Sequence, residues 1–498
     1  MKNCLVKVAK EIAQNKLVYF LLFLILSFSA FFRLYRLDTL LGFWYDQGRD
    51  ALVIWDFVYH GKLFLIGPVT GIEGIFLGPF YYYLLSPFYF LGGGNPVWAA
   101  AGLSWIAVGA VCLLFYLGKK FWGYPVGLLA AFFYGFSFHQ VTFSRWLANP
   151  NPLPFFALLV LLFLYRFVQD QRGSLVWAAF FLGLCLQLEA AAAIFFLPSM
   201  LLILIWKRKN LSLRILLMAF LSFLVTLLPQ IYFNFRHEGI LMAAFKKFLI
   251  EERSFGISFG QVLRQRLWLY FDVFSSQLFP WQVGGRIVTI ASFSALAIFY
   301  RKKIFSSVGK MLAIWLFVPL VGYLFYRGNH GYVWDYYFSG VMPAFILLLS
   351  SEFYFLAKSH LIGKIMVCLF LLVFGTLNIR PLKNYYQAGV GIALRAQKRA
   401  IDWIYEEAGS NDFNVDVYVP PQIPYAYSYL FRWYGQRKYG REPAAKMVKN
   451  LYTLSEPDGE HPQFLEAWLE RQAGIGRIEK SYFWGSITVQ KRERIKYE

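Results

Sequence analysis

Apolar runs long enough to cross a bilayer dominate the first 380 residues, and short basic clusters separate them. A spanning helix needs about 20 mostly apolar residues. Such runs fall at about 17–35, 97–117, 124–143, 153–168, 174–188, 190–206, 211–232, 287–301, 311–326, 337–356 and 364–380. Residues 175–206 would make one helix of roughly 48 Å, too long for a hydrocarbon core of about 30 Å. A turn near Glu189 is therefore expected. Ile75 to Leu91 is apolar enough to span, but counting it would reverse every later loop. Its Tyr81-Tyr82-Tyr83, with Pro79 and Pro87, suits a helix lying in the membrane interface.

The basic clusters test this pattern. Lys2, Lys7, Lys10 and Lys16 precede the first span. Lys119-Lys120, Arg166 to Arg172, Lys207-Arg208-Lys209, Arg301-Lys302-Lys303 and Lys358 to Lys364 fall on alternate loops. Basic loops face the cytoplasm. The expectation is a polytopic protein of the cytoplasmic membrane with about eleven spans, its amino terminus inside and its last residues outside. No small-residue cleavage site follows the first span, which reads as an anchor. Beyond Arg380 charge and turn signals return. Ala393 to Glu407 reads as an amphipathic helix and Asn414 to Val419 as a strand. The division is a membrane domain, 1–380, whose first outer loop is 36–96, and a small extracytoplasmic α/β domain, 381–498.

Composition sharpens the picture. The chain is 58% hydrophobic and only 15% charged, outside the range of ordinary soluble domains. Disorder is excluded by hydrophobicity, and a disulfide scaffold by the presence of only four cysteines. Cys4, Cys112, Cys185 and Cys368 fall in or near membrane segments and read as packing residues. The net charge of +21 is distributed in the inter-span runs, which argues for membrane orientation and against nucleic acid. There is no GxxxxGK[ST], HExxH or paired CxxC motif.

Polar residues in so apolar a chain are informative because they are costly at membrane depth. Four clusters stand out, all on outer loops. The first is Tyr45-Asp46-Gln47-Gly48-Arg49-Asp50. A helix starting near Asp46 places Arg49 and Asp50 on its face. Asp46 then serves either as a helix cap paired with Arg49 or as a general base beside a cation. The second cluster holds Glu73 between Gly71 and Gly74, then Gly78-Pro79 and Tyr82. It suits close backbone approach to a ligand and aromatic contact with sugar or prenyl chains, or else an aromatic belt. The third is Ser144-Arg145-Trp146-Leu147-Ala148-Asn149-Pro150-Asn151-Pro152. It is a strong turn in which Arg145, Asn149 and Asn151 are candidate donors to phosphate or sugar. The fourth runs from Arg327 through His330 to Tyr336-Tyr337.

This order of features resembles the polyprenyl-phosphate-dependent membrane glycosyltransferases of the GT-C fold, which include the protein O-mannosyltransferase and lipid A aminoarabinose transferase families. An acidic motif after the first span is matched by Asp46-Gln47-Gly48-Arg49-Asp50. A Gly/Pro-rich interfacial helix is matched by Gly71 to Leu85. A later outer turn is matched loosely by Ser144 to Asn149, and a tyrosine-rich lead into a span by Tyr336-Tyr337-Phe338 and Met342-Pro343. The family's Asp-Glu pair is Asp46-Gln47 here, and the acid of the later turn is Asn149 or Asn151.

The resemblance implies transfer of a monosaccharide from a polyprenyl-phosphate donor to a hydroxyl of a glycan, lipid or protein acceptor, with Asp46 as base. The substrate-binding candidates are Arg49, Asp50, Glu73, Tyr82, Arg145, Asn149, Asn151, Arg327, His330 and Tyr336. Guanidinium groups can stabilise the leaving phosphate, so a divalent metal is not required in principle. The alternative is a transporter or flippase for a lipid-linked sugar, for which a deep Glu189 would argue.

Overall fold

The computed structural model describes residues 2–248, 258–280, 306–326, 331–388, 391–420 and 423–495, with 286, 287, 290, 291 and 294. Ten of the eleven apolar segments coincide with helices. The eleventh, 287–301, lies largely outside the described residues. Lys16–Leu34, Pro96–Trp122, Leu213–Arg236 and Leu361–Gln387 are each long and apolar enough to cross a membrane. Tyr124–Phe136 and Phe138–Ser144 make a fifth span bent by 64°. Leu153–Val168, Ser174–Leu188, Ala190–Trp206 and Ser307–Tyr323 are shorter apolar helices. The chain is a multi-pass membrane protein.

Glu189 breaks the long apolar stretch. Its backbone is extended (φ −155°, ψ 95°), and its carboxylate accepts a hydrogen bond from the Ala191 N–H. The two flanking helices return to the same end, where Leu175 and Leu204 share one apolar cluster. That end also gathers the basic loops. Lys119 pairs with Glu11. The Phe121 ring meets Tyr165 at 4.8 Å, and Asn210 donates to the Phe167 carbonyl at 3.1 Å. Lys310 lies over the Trp206 ring. The polar turns collect at the opposite end. Asn149 Nδ2 donates to the Leu188 carbonyl at 2.6 Å, and the Trp146 ring lies 5.8 Å from Tyr336.

At that opposite end, Tyr45–His60 forms the acidic helix and Phe80–Leu91 the aromatic helix. The latter begins later than the apolar run, because Gly67 to Leu77 pair as extended chain before Pro79. The last span runs to Ala388, past the change of composition at Arg380. After it come the helix Leu394–Ala408 and four strands: β1 (Phe413–Tyr418), β2 (Asn450–Ser455), β3 (Gly476–Trp484) and β4 (Ile487–Arg494). The sheet order is β1-β2-β4-β3, with β1 and β2 parallel and the rest antiparallel. Between β3 and β4 the two-residue turn Gly485-Ser486 uses a positive φ of 60° at the glycine, as a tight hairpin requires. Trp403 of the preceding helix stacks on Tyr482 and meets Tyr452 edge-on, which fixes that helix against the sheet.

Candidate active site

The acidic motif is positioned by the C-terminal unit. The Leu41 carbonyl accepts from the Leu394 N–H at 2.8 Å, and Trp44 Nε1 donates to the Ile392 carbonyl at 2.8 Å. Gln397 Nε2 donates to the Phe43 carbonyl at 2.9 Å and reaches Glu456, which also accepts from the Tyr427 hydroxyl. Gly48 meets the Tyr425–Leu430 helix directly. A Cβ there would lie 2.2 Å from the Ala426 nitrogen, so only glycine permits the approach.

Trp44 is the residue before the first helical turn, and its N–H is capped by Gln47 Oε1 at 3.1 Å. Gln47 is thus a capping residue in the place of a second acid. Asp46 sits in the first turn, where the helix dipole favours an anion. Its side chain is 62% exposed, against 16% for Arg49 and 7% for Asp50. Arg49 lies between the two carboxylates. Its Nε and Nη2 donate to Asp50 Oδ1 at 3.0 and 2.8 Å, and the Tyr82 hydroxyl donates to the same oxygen at 2.9 Å. Nη1 is 2.9 Å from Asp46 Oδ1, but its alignment is not that of a hydrogen bond, so this buried donor retains unused capacity.

Burial disfavours the ionised form of Asp50 more than Arg49 and Tyr82 favour it. Its pKa rises from 3.8 to about 6. Burial also disfavours the Arg49 cation, but Asp50, Tyr82 and Asp46 outweigh it, and Arg49 stays charged. The chemistry available is an accessible carboxylate beside a fixed guanidinium with one donor free. Among the described residues no three His, Cys, Asp or Glu side chains gather as a metal-ligand set.

The other sequence candidates are placed differently. Arg145 is buried, and its Nη1 donates to the Phe32, Arg33 and Tyr35 carbonyls at 3.1, 2.8 and 2.9 Å. It closes the carboxyl end of the first span, where a cation meets the negative end of the helix dipole. Its Nε and Nη2 are buried without partners. Asn151 donates to the Phe143 and Trp146 carbonyls at 3.1 and 2.7 Å and shapes its own turn. Asn149 joins two turns and also reaches Glu189 at 3.4 Å. Glu73 is exposed on its loop, 3.6 Å from Lys247. Tyr336 is half-buried among Trp146, Trp334 and Tyr337. Arg327 and His330 lie outside the described residues.

The structure therefore brings together Asp46, Arg49, Asp50 and Tyr82. A second group holds Asn149, Glu189 and, through Trp146, Tyr336. Gln187 links the two regions, because its Oε1 accepts from the Phe80 N–H at 3.0 Å at the start of the aromatic helix. Sequence reasoning missed Gln187, Gln397 and Glu456. Only the cost of placing such groups among apolar neighbours marks them, and that cost does not reveal their partners.

The bundle of apolar helices and the small C-terminal sheet fit a membrane protein of the GT-C fold, the class the sequence resembles. The structure is similar to that of ArnT from Cupriavidus metallidurans bound to undecaprenyl phosphate (TM-score 0.60, 12% identity). That match covers 96% of this chain and 98% of ArnT. It is also similar to the oligosaccharyltransferase AglB from Archaeoglobus fulgidus, solved with an inhibitory peptide and a dolichol-phosphate. There the TM-score is 0.52 at 13% identity, over 96% of this chain and 74% of AglB. Residues 77–233 match the family model described as dolichyl-phosphate-mannose-protein mannosyltransferase. No curated protein matches the sequence.

Proposed function

We propose that this protein transfers a monosaccharide from a polyprenyl-phosphate donor to an acceptor hydroxyl at the outer face of the cytoplasmic membrane. The observation that carries the reading is the exposed Asp46 carboxylate beside a guanidinium that is locked from behind by Asp50 and Tyr82. The likeness to ArnT and AglB in fold supports a lipid-linked donor, as does the family model over residues 77–233. The sugar is a hexose or pentose. The end bearing Lys119, Arg166 and Lys207 faces the cytosol, because basic loops resist translocation.

The chemistry follows from the residues. Asp46 accepts the proton of the acceptor hydroxyl as its oxygen bonds to the anomeric carbon. The carbon–oxygen bond to phosphate breaks with its electron pair, and the phosphate gains about one negative charge. Arg49 Nη1 turns from Asp46 to that phosphate, which frees the base when the donor is bound and stabilises the charge as it develops. A single displacement inverts the anomeric centre. A guanidinium can stabilise this charge, so a divalent metal is not required in principle, and the rate of transfer after exhaustive chelation tests whether one is used.

The decisive experiment assays Asp46→Asn in reconstituted membranes with a prenyl-phosphate sugar. Loss of transfer with retained donor binding is expected. Full activity in that variant refutes Asp46 as base. Substrate flux across proteoliposomes with no sugar transfer would establish a transporter instead.

A further inference from the structure

A cleft of about 500 Å³ opens where the aromatic helix hands over to the span Pro96–Trp122 and meets the C-terminal unit. Gly92, Asn95 and Trp98 line one side. Lys398, Arg437 and Lys438 line the other, over Trp433 and Tyr434. Three cations thus face one small cavity. Lys438 is paired with Asp402 at 2.8 Å, and Arg437 Nη1 donates to the Gly93 carbonyl at 2.7 Å. Lys398 has no ion pair among the described residues. Its ammonium rests on the Tyr434 ring at 4.4 Å and lies 5.6 Å from the Trp433 ring. Burial, with the neighbouring Lys438, lowers its pKa below the usual 10.5 more than the Asp402 and Asp38 carboxylates raise it.

The rim is as informative as the floor. Leu91 and Trp98 line the cleft and are 66% and 50% exposed. The neighbouring Phe90 and Trp105 are 65% and 56% exposed. Large apolar side chains presented outward beside a tryptophan at a span's start belong against lipid at the level of the headgroups. The cleft therefore opens to the bilayer at its apolar edge and carries positive charge at its polar edge. It is separate from the acidic site. None of Asp46, Arg49, Asp50 and Tyr82 lines the cleft, and Trp55, five residues and roughly 7.5 Å along the helix from Asp50, meets Tyr429, whose ring stacks on the cleft's Trp433.

We propose that this cleft binds a phosphate-bearing anionic lipid headgroup from the surrounding leaflet, with its acyl chains along Phe90, Leu91 and Trp98. The headgroup charge complements Lys398, Arg437 and Lys438, and the apolar rim supplies what a soluble anion could not use. The proposal rests on charge and position and is independent of the transferase reading.

Native mass spectrometry of the full-length protein, titrated with phosphatidylglycerol, phosphatidylcholine or inorganic phosphate, tests it. Phosphatidylglycerol is expected to bind more tightly than phosphatidylcholine, and inorganic phosphate should not displace it. Lys398→Gln should weaken phosphatidylglycerol roughly fivefold. Trp98→Ala should weaken the lipid without creating phosphate binding. Lys209→Gln, at the far basic end, is the control. Equal binding of the two lipids, or equal effects of the 398 and 209 variants, overturns the proposal. Displacement by inorganic phosphate overturns the lipid source. Unchanged thermal midpoints establish that the variants are folded, and Lys398→Gln removes no hydrogen bond that the structure shows.

Discussion

Asp50→Asn separates positioning from simple stability. In the folded protein the Asp50 carboxyl is raised from 3.8 to about 6. At 1.36 kcal/mol for each pH unit, its ionised form is disfavoured by about 3 kcal/mol. The sign follows directly. A carboxyl with a raised folded pKa contributes stability that is present below pH 3.8 and lost as pH rises through about 6. Asparagine removes that cost at neutral pH. It also removes the charge opposite Arg49, but that attraction is already contained in the shift, and Arg49 keeps Asp46 at 2.9 Å, so the variant should lose little stability at neutral pH.

Activity has no such compensation. Arg49 loses its anchor, and a misplacement of about 1 Å costs roughly a hundredfold in rate. The expected outcome is therefore a near-unchanged unfolding midpoint with kcat/KM reduced about a hundredfold. The wild-type acid limb near pH 6 should disappear in the variant, because ionised Asp50 is what holds Arg49. The measurements are thermal unfolding in nanodiscs and a pH–rate profile of sugar transfer. A variant that keeps both its rate and the limb near pH 6 refutes the assignment of Asp50 as a positioning residue.

Other expectations are as direct. Tyr82→Phe removes a hydrogen bond that favours ionised Asp50. The acid limb of the pH–rate profile should move up by about one pH unit; a downward shift contradicts the account. Arg49→Lys keeps the charge but loses the planar fork on Asp50, and kcat should fall at least tenfold with little change in midpoint. Gly48→Val forces a side chain into the Ala426 backbone. Limited proteolysis should then release the C-terminal unit faster, and transfer should fail with it. Arg145→Met leaves the carbonyls ending the first span without their donor, so it should lower the unfolding midpoint by several degrees. The folded fraction should keep its kcat/KM, and a selective loss of kcat would instead place Arg145 at the reacting phosphate.

The amino-acid sequence placed the apolar helices among the described residues and gathered the basic loops at one end, because burying apolar residues and leaving basic loops uncrossed are local, additive costs. It determined the break at Glu189, since a helix of that length exceeds the bilayer. It also placed the helix that begins beside Asp46 and the strand near Asn414, whose patterns need only their own residues. Which polar groups face which partner was decided by tertiary structure. Arg145 and Asn151 read like ligand donors along the chain, yet they bond to carbonyls that become neighbours only after folding. Arg49 and Asp50 are adjacent in sequence, but Tyr82 meets them only because the aromatic helix packs back onto theirs. The exposure of Asp46 against the burial of Asp50, one turn further along the same face, depends on how far along that face Tyr82 and the aromatic helix reach. Desolvation and hydrogen-bond geometry are properties of surroundings that a single chain segment does not carry.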